Sequence, residues 1–183
     1  MTGIAWAEVR ESLDTQLAAF VSVLLFMSAL HKAVARARSI AAVRELARVP
    51  QWLAPWTLGL ATALELSAAV ALFSPLYRAA GALLAACLCL TYAGLMMNAI
   101  TQGRRDIDCG CSFGAARHPL GRYQVTRNAL LAAGCVAVAA GSAAHGAPPF
   151  AAMQVLAAVA LLALYAALDQ VMALTAPRAG ELL

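Results

Sequence analysis

The chain has 183 residues, 63% of them hydrophobic and 12% charged, with a net charge of +4 and a mean hydropathy of +0.77. A soluble globular domain carries about 25% charged residues, so this composition excludes one and makes the bilayer the solvent. It also excludes nucleic-acid binding, because no basic face is interleaved with aromatics and lipid takes up the remaining surface.

The expected fold class is all-α: a polytopic membrane helix bundle of about five transmembrane helices, forming one domain over residues 1–183. Tracts such as "AALLAACLCL" have few β-branched residues and no alternation of period two, which argues against a membrane β-barrel. A helix pairs every backbone N–H and C=O internally, as lipid demands.

The first predicted span covers residues 16–35. Glu8, Glu11 and Asp14 precede it, where a cleaved signal would be basic, so it is expected to stay in the mature chain. The second covers 53–73. Glu65 lies about twelve residues, roughly 18 Å of helix, from its start. A carboxylate at that depth is costly, should face the bundle interior, and is a functional candidate by default. A plain helix–helix hydrogen bond is the competing account. Pro75 ends this span, because proline fixes φ and donates no hydrogen bond.

The third span covers 79–100. It holds Cys87 and Cys89, which point different ways because two positions turn about 200°. Cys135 lies in the fourth span, 123–140, and the fifth span covers 150–174 after the breaker "HGAPPF". A buried cysteine in an apolar helix behaves as a small hydrophobe, and that account suits all three. Met96 and Met97 read as core- or lipid-facing.

Cys109 and Cys111 differ, because they flank Gly110 in the polar loop 101–122. Glycine permits backbone angles that bring its neighbours together. A disulfide closing so small a ring is strained, and strained disulfides are labile and typically catalytic or regulatory. Arg104, Arg105 and Arg117 favour the thiolate, while Asp106 and Asp108 oppose it. Three accounts stay open on these residues: a redox pair, a copper or zinc site with His118 as a further ligand, or chance thiols.

Other polar residues gather toward the membrane face of this loop. His31 ends the first span, Asn98 the third, Arg127 and Asn128 open the fourth, Asp169 is late in the fifth, and Tyr92 is nearby. A supporting cluster beneath the thiol loop would use Glu65, Asn98, Arg127 and Asn128. Interfacial snorkelling and capping suit Arg127 and His31 better than they suit Asn98 and Asn128.

Lys and Arg set the expected orientation. Eleven of the 13 follow spans one, three and five: Lys32, Arg36, Arg38, Arg44, Arg48, Arg104, Arg105, Arg117, Arg122, Arg127 and Arg178. Arg10 and Arg78 fall on the other side. The positive-inside rule then places the N-terminus outside and the thiol loop in the cytoplasm of a bacterial inner membrane.

The stretch "GRRDIDCGCSFGAARHPLGRYQVTRNALL" resembles the MauE family of methylamine-utilisation membrane proteins. The carriers are Asp106 to Cys111, Val125, and Arg127-Asn128 opening a helix. His31-Lys32, the "RVPQWLAPW" entry to the second span, and Glu65 add to it, and the likeness runs over about residues 15–175. The segment "SFGAARHPLGRY", with His118, departs from the family pattern.

The resemblance implies a role in maturing the small, disulfide-rich subunit of methylamine dehydrogenase, with a thioredoxin-like periplasmic partner. It also implies kinship with DoxX-like redox-associated membrane proteins. Cys109 and Cys111 would be the exchanging pair of a thiol–disulfide oxidoreductase, and no cofactor is implied. The alternatives are a non-catalytic assembly or export factor, and a metal-handling protein using Cys109, Cys111 and His118. The charge rule and a periplasmic client pull the loop to opposite sides. A thiol relay across the bilayer would need a second redox centre, for which only Cys87, Cys89 and Cys135 remain.

Overall fold

The computed structural model describes residues 2–104, 107, 120–145 and 152–175. The predicted Cys109, Gly110, Cys111 and His118 lie outside the described residues. The helices are α1 (Thr2–Val34), α2 (Arg36–Ala47), α3 (Ala54–Phe73), α4 (Arg78–Thr101), α5 (Arg122–His145) and α6 (Ala152–Thr175). No strand occurs among the described residues. Five helices are long and apolar enough to cross a membrane, and the chain is a multi-pass membrane protein.

Each predicted span has its helix, with two differences. α1 begins well before residue 16, so Glu11 and Asp14 lie within it. The basic segment after the first span, read from sequence as a loop, contains α2. Chain direction breaks at Ala35, and α2 ends at Arg48, whose φ of 54° is left-handed, two residues before Pro50. Ser39, Ala42 and Leu46 recur at helical spacing on the buried side of α2, and Arg36 and Arg44 are exposed. This amphipathic pattern, with a basic polar face, suits a helix lying in the interface plane.

The bundle is held by small residues. Ala18, Ala68, Ala82, Ala85, Cys89, Ala132, Cys135 and Val138 belong to one buried cluster shared by α1, α3, α4 and α5. Without a hydrophobic force between helices in lipid, close van der Waals contact decides association, and small side chains permit it. Gly81 is the tightest point. A Cβ there would lie 2.6 Å from the Leu72 amide nitrogen and 2.8 Å from the Ala71 carbonyl carbon. Only glycine lets α4 pass the end of α3 so closely.

Candidate functional site

Sequence chemistry brings unusual cargo into this apolar bundle: a lysine and a glutamate, then an arginine and an aspartate. The structure pairs them. Lys32 of α1 donates to both carboxylate oxygens of Glu65 on α3, at 2.7 and 2.8 Å, and to Ser28 Oγ at 2.7 Å. Tyr92 of α4 donates its hydroxyl to Glu65 Oε1 at 2.6 Å, and its ring faces the Lys32 ammonium at 5.5 Å. Glu65 is fully buried, and the Lys32 side chain is only 7% exposed. An isolated carboxylate in such a place would cost many kcal/mol, and the Lys32 cation with the Tyr92 hydroxyl supplies what its burial requires.

The second pair joins α5 to α6. Arg127 Nη1 donates to Asp169 Oδ1 at 2.6 Å, with both side chains buried. The guanidinium stands 5.3 Å from the Tyr165 ring and 5.9 Å from the Tyr123 ring. Asp169 Oδ2 is buried without a hydrogen-bond partner among the described residues. Asn128 is buried beside Arg127. Its Nδ2 donates to the Gln124 carbonyl at 2.9 Å and contacts Met96 Sδ at 4.0 Å.

A cavity of ≈ 40 Å³ links the two pairs, lined by Ser28, Glu65, Cys89, Tyr92, Arg127, Asn128 and Tyr165. One water needs about 10–15 Å³, so water fits there. Lys32 and Tyr92 also wall an apolar pocket of ≈ 80 Å³ beneath α2, lined by Ala42, Leu46, Leu58 and Leu95. Lys32 and Tyr92 line this recess while Glu65 and Tyr92 line the smaller cavity, so the Lys32–Glu65–Tyr92 group stands between the two. All five long helices contribute buried polar groups: α1, α3 and α4 around the first pair, α5 and α6 in the second.

Several expectations change. Arg127 does not snorkel, because its guanidinium turns inward to Asp169. Asn98 does not join the cavity. It is exposed near the end of α4, where its Oδ1 accepts from Gln102 Nε2 at 2.8 Å and its carbonyl accepts from Thr101 Oγ1 at 3.0 Å. The capping account thus belongs to Asn98 and not to Arg127. His31 is half-buried, and its neighbour Lys32 reaches Glu65.

Sequence reasoning missed Lys32 as the partner of Glu65, having used it as a topology charge and as part of the His31-Lys32 resemblance. The available signal was position: the helix runs on past it, so it lies inside the span. Arg78 was counted only as a topology charge. It is 1% exposed, and its Nε donates to the Leu72 carbonyl at 3.2 Å, closing the α3–α4 turn.

Near the thiol loop, Ile107 and Leu120 are both buried in a small cluster with Leu46, Met96 and Ala99. The two described ends of the Cys-Gly-Cys connection are therefore fastened to α2 and α4. No group of three or more His, Cys, Asp or Glu able to hold a metal occurs among the described residues.

Residues 10–144 match the family model described as Methylamine utilisation protein MauE. The match takes in α2 to α4, nearly all of α5 and most of α1, and leaves α6 outside. No curated protein and no solved structure gives a significant match.

Proposed function

Because the chain belongs to the MauE family of methylamine utilisation membrane proteins, we propose that it serves the maturation of the methylamine dehydrogenase small subunit by thiol–disulfide exchange at Cys109 and Cys111. The observation that carries this reading is the anchoring of the loop. Ile107 and Leu120 are buried against Met96 and Ala99, and Cys109 follows Ile107 by two residues. Two residues of chain span at most about 7 Å. Both described ends of the loop are fixed at one end of the bundle, while charged residues make its sequence polar.

One cysteine thiolate attacks the disulfide of a thioredoxin-like partner, forming a mixed disulfide and releasing one partner thiol. The other cysteine resolves it, releasing the second thiol and leaving a Cys109–Cys111 disulfide. Gly110 supplies the turn that lets the two sulfurs meet. In the reverse direction the same pair passes its disulfide on. Arg127, Asn128 and Glu65 hold the helix ends beneath the loop in one arrangement and act as positioning residues.

The test replaces Cys109 and Cys111 with serine and counts free thiols in the client subunit by alkylation and mass. The expected result is loss of the bridged subunit, with the membrane protein at normal abundance. A fully bridged, active dehydrogenase would leave only an assembly or export role.

A further inference from the structure

Cys89 and Cys135 look like packing residues when each helix is read alone. The register of α4 against α5 puts them opposite one another. Asn128 of α5 touches Met96 of α4. The two helices are adjacent and run antiparallel, so equal steps from that contact, backward on α4 and forward on α5, stay in register. Seven residues make about two turns. Seven back from Met96 is Cys89, and seven on from Asn128 is Cys135. Residues at the intermediate and next steps of the same ladder face inward too: Ala132, Ala85 and Ala139 are buried and Tyr92 is half-buried.

Both thiols belong to the same buried cluster, and each is unpaired in the structure. The ladder is built of small side chains at this level, which lets the backbones come close. A disulfide needs Cα atoms within about 7 Å.

Cys89 is not sealed in apolar surroundings. It lines the ≈ 40 Å³ cavity, whose wall of Leu24, Leu25 and Leu131 also carries the polar side chains of Glu65, Tyr92, Arg127 and Asn128. Structural cysteines are inert because nothing polar reaches them, and water-sized space reaches this one.

We propose that Cys89 and Cys135 form a second thiol–disulfide couple inside the bundle. The oxidant is a disulfide. Cys89 sulfur attacks it, the incoming S–S bond breaks, and one thiol leaves carrying the proton that Cys89 lost. Cys135 sulfur then attacks Cys89 sulfur in the mixed disulfide. The second thiol leaves with the proton of Cys135, and the Cys89–Cys135 bond remains. Two protein thiols are oxidised to one disulfide, and one disulfide is reduced to two thiols. Only the identity of that incoming disulfide, one handed on from Cys109 and Cys111, rests on the function proposed above.

The test uses the full chain with Cys87, Cys109 and Cys111 changed to serine, in detergent micelles, so its outcome does not depend on the loop. Cys87 is exposed on the outer face of α4, so its replacement spares the core. Diamide is the oxidant, taking two electrons and two protons to become its hydrazine. The expected product is a monomer with no alkylatable thiol after denaturation, no adduct, and a mass lower by two hydrogens. Adding Cys89→Ser should leave one thiol open to alkylation. Peptide mapping of the oxidised wild-type chain should show the same 89–135 link. Two thiols still alkylated, under conditions that oxidise a lipid-soluble dithiol in the same micelles, would overturn the couple, as would links formed only between molecules.

Discussion

Replacing Lys32 with methionine isolates the buried charge pair. Methionine keeps the stem and removes the ammonium that donates to both oxygens of Glu65, at 2.7 and 2.8 Å. At that separation the gross attraction is about 6 kcal/mol with an effective dielectric near 20. Desolvation of two buried ions offsets much of it. Removing one partner of a buried pair nonetheless costs about 3–5 kcal/mol, because the other charge stays buried and uncompensated. Glu65, which is 0% exposed, would keep only the Tyr92 hydroxyl. The variant should lose about 3–5 kcal/mol when its unfolding is titrated with SDS in mixed micelles. Adding Glu65→Gln removes the stranded charge and keeps an acceptor for Tyr92, so the double variant should recover at least half of the loss. A single variant within about 1 kcal/mol of wild type, or a double variant worse than the single, would refute the claim that the pair is a mutual compensation.

Tyr92→Phe keeps the ring over Lys32 and deletes the 2.6 Å hydrogen bond to the Glu65 carboxylate. It should cost about 1.5–3 kcal/mol in the same titration, and an unchanged midpoint would show that the hydroxyl is not needed there. Gly81→Ala drives a Cβ into backbone atoms of α3, at 2.6 and 2.8 Å, and should cost about 1–3 kcal/mol. Gly94→Ala meets nothing within 4 Å and should stay within about 0.5 kcal/mol; equal effects at the two glycines would deny the close approach of α4 to α3.

The spans were legible because the need to pair backbone groups in lipid leaves hydropathy and length as nearly sufficient signals. α2 was not, since an interfacial helix has neither the length nor the hydropathy of a span. Its signal was the spacing of Ser39, Ala42 and Leu46 among arginines. For Glu65, cost alone pointed to the interior, and the structure puts it there. Its partner was hidden, because Lys32 is 33 residues away and a lysine near a helix end reads equally as a snorkelling charge. Arg127 and Asn98 exchanged roles for the same reason. Position along a helix is visible in sequence, but which way a side chain turns depends on the neighbour it meets. The facing of Cys89 and Cys135 was illegible in either helix alone, and one interhelical contact sets it.

The packing of α2 bears on which side of the membrane the thiol loop occupies. Arg104 Nη1 donates to the Glu45 carbonyl at 2.7 Å, and Leu46 shares a cluster with Ile107 and Leu120. The basic helix and both ends of the thiol loop therefore sit at the same end of the bundle. Two of the eleven charges counted there, Lys32 and Arg127, are engaged in internal ion pairs and carry little weight as free charges. Of the opposing two, Arg78 is buried and bonded to a carbonyl. Leaving out these three buried side chains, nine charges against one still favour this end as cytoplasmic. A membrane-impermeant maleimide should therefore label Cys109 and Cys111 in inverted vesicles and spare them in intact cells, with Cys87 changed to serine. Labelling from outside intact cells would overturn the orientation and put the loop directly in reach of a periplasmic partner. With the loop inside, disulfide equivalents must cross the bilayer to reach such a partner. Cys89 and Cys135, two turns farther into the membrane than Met96 and Asn128, are then the only described cysteine pair placed to carry them part of the way.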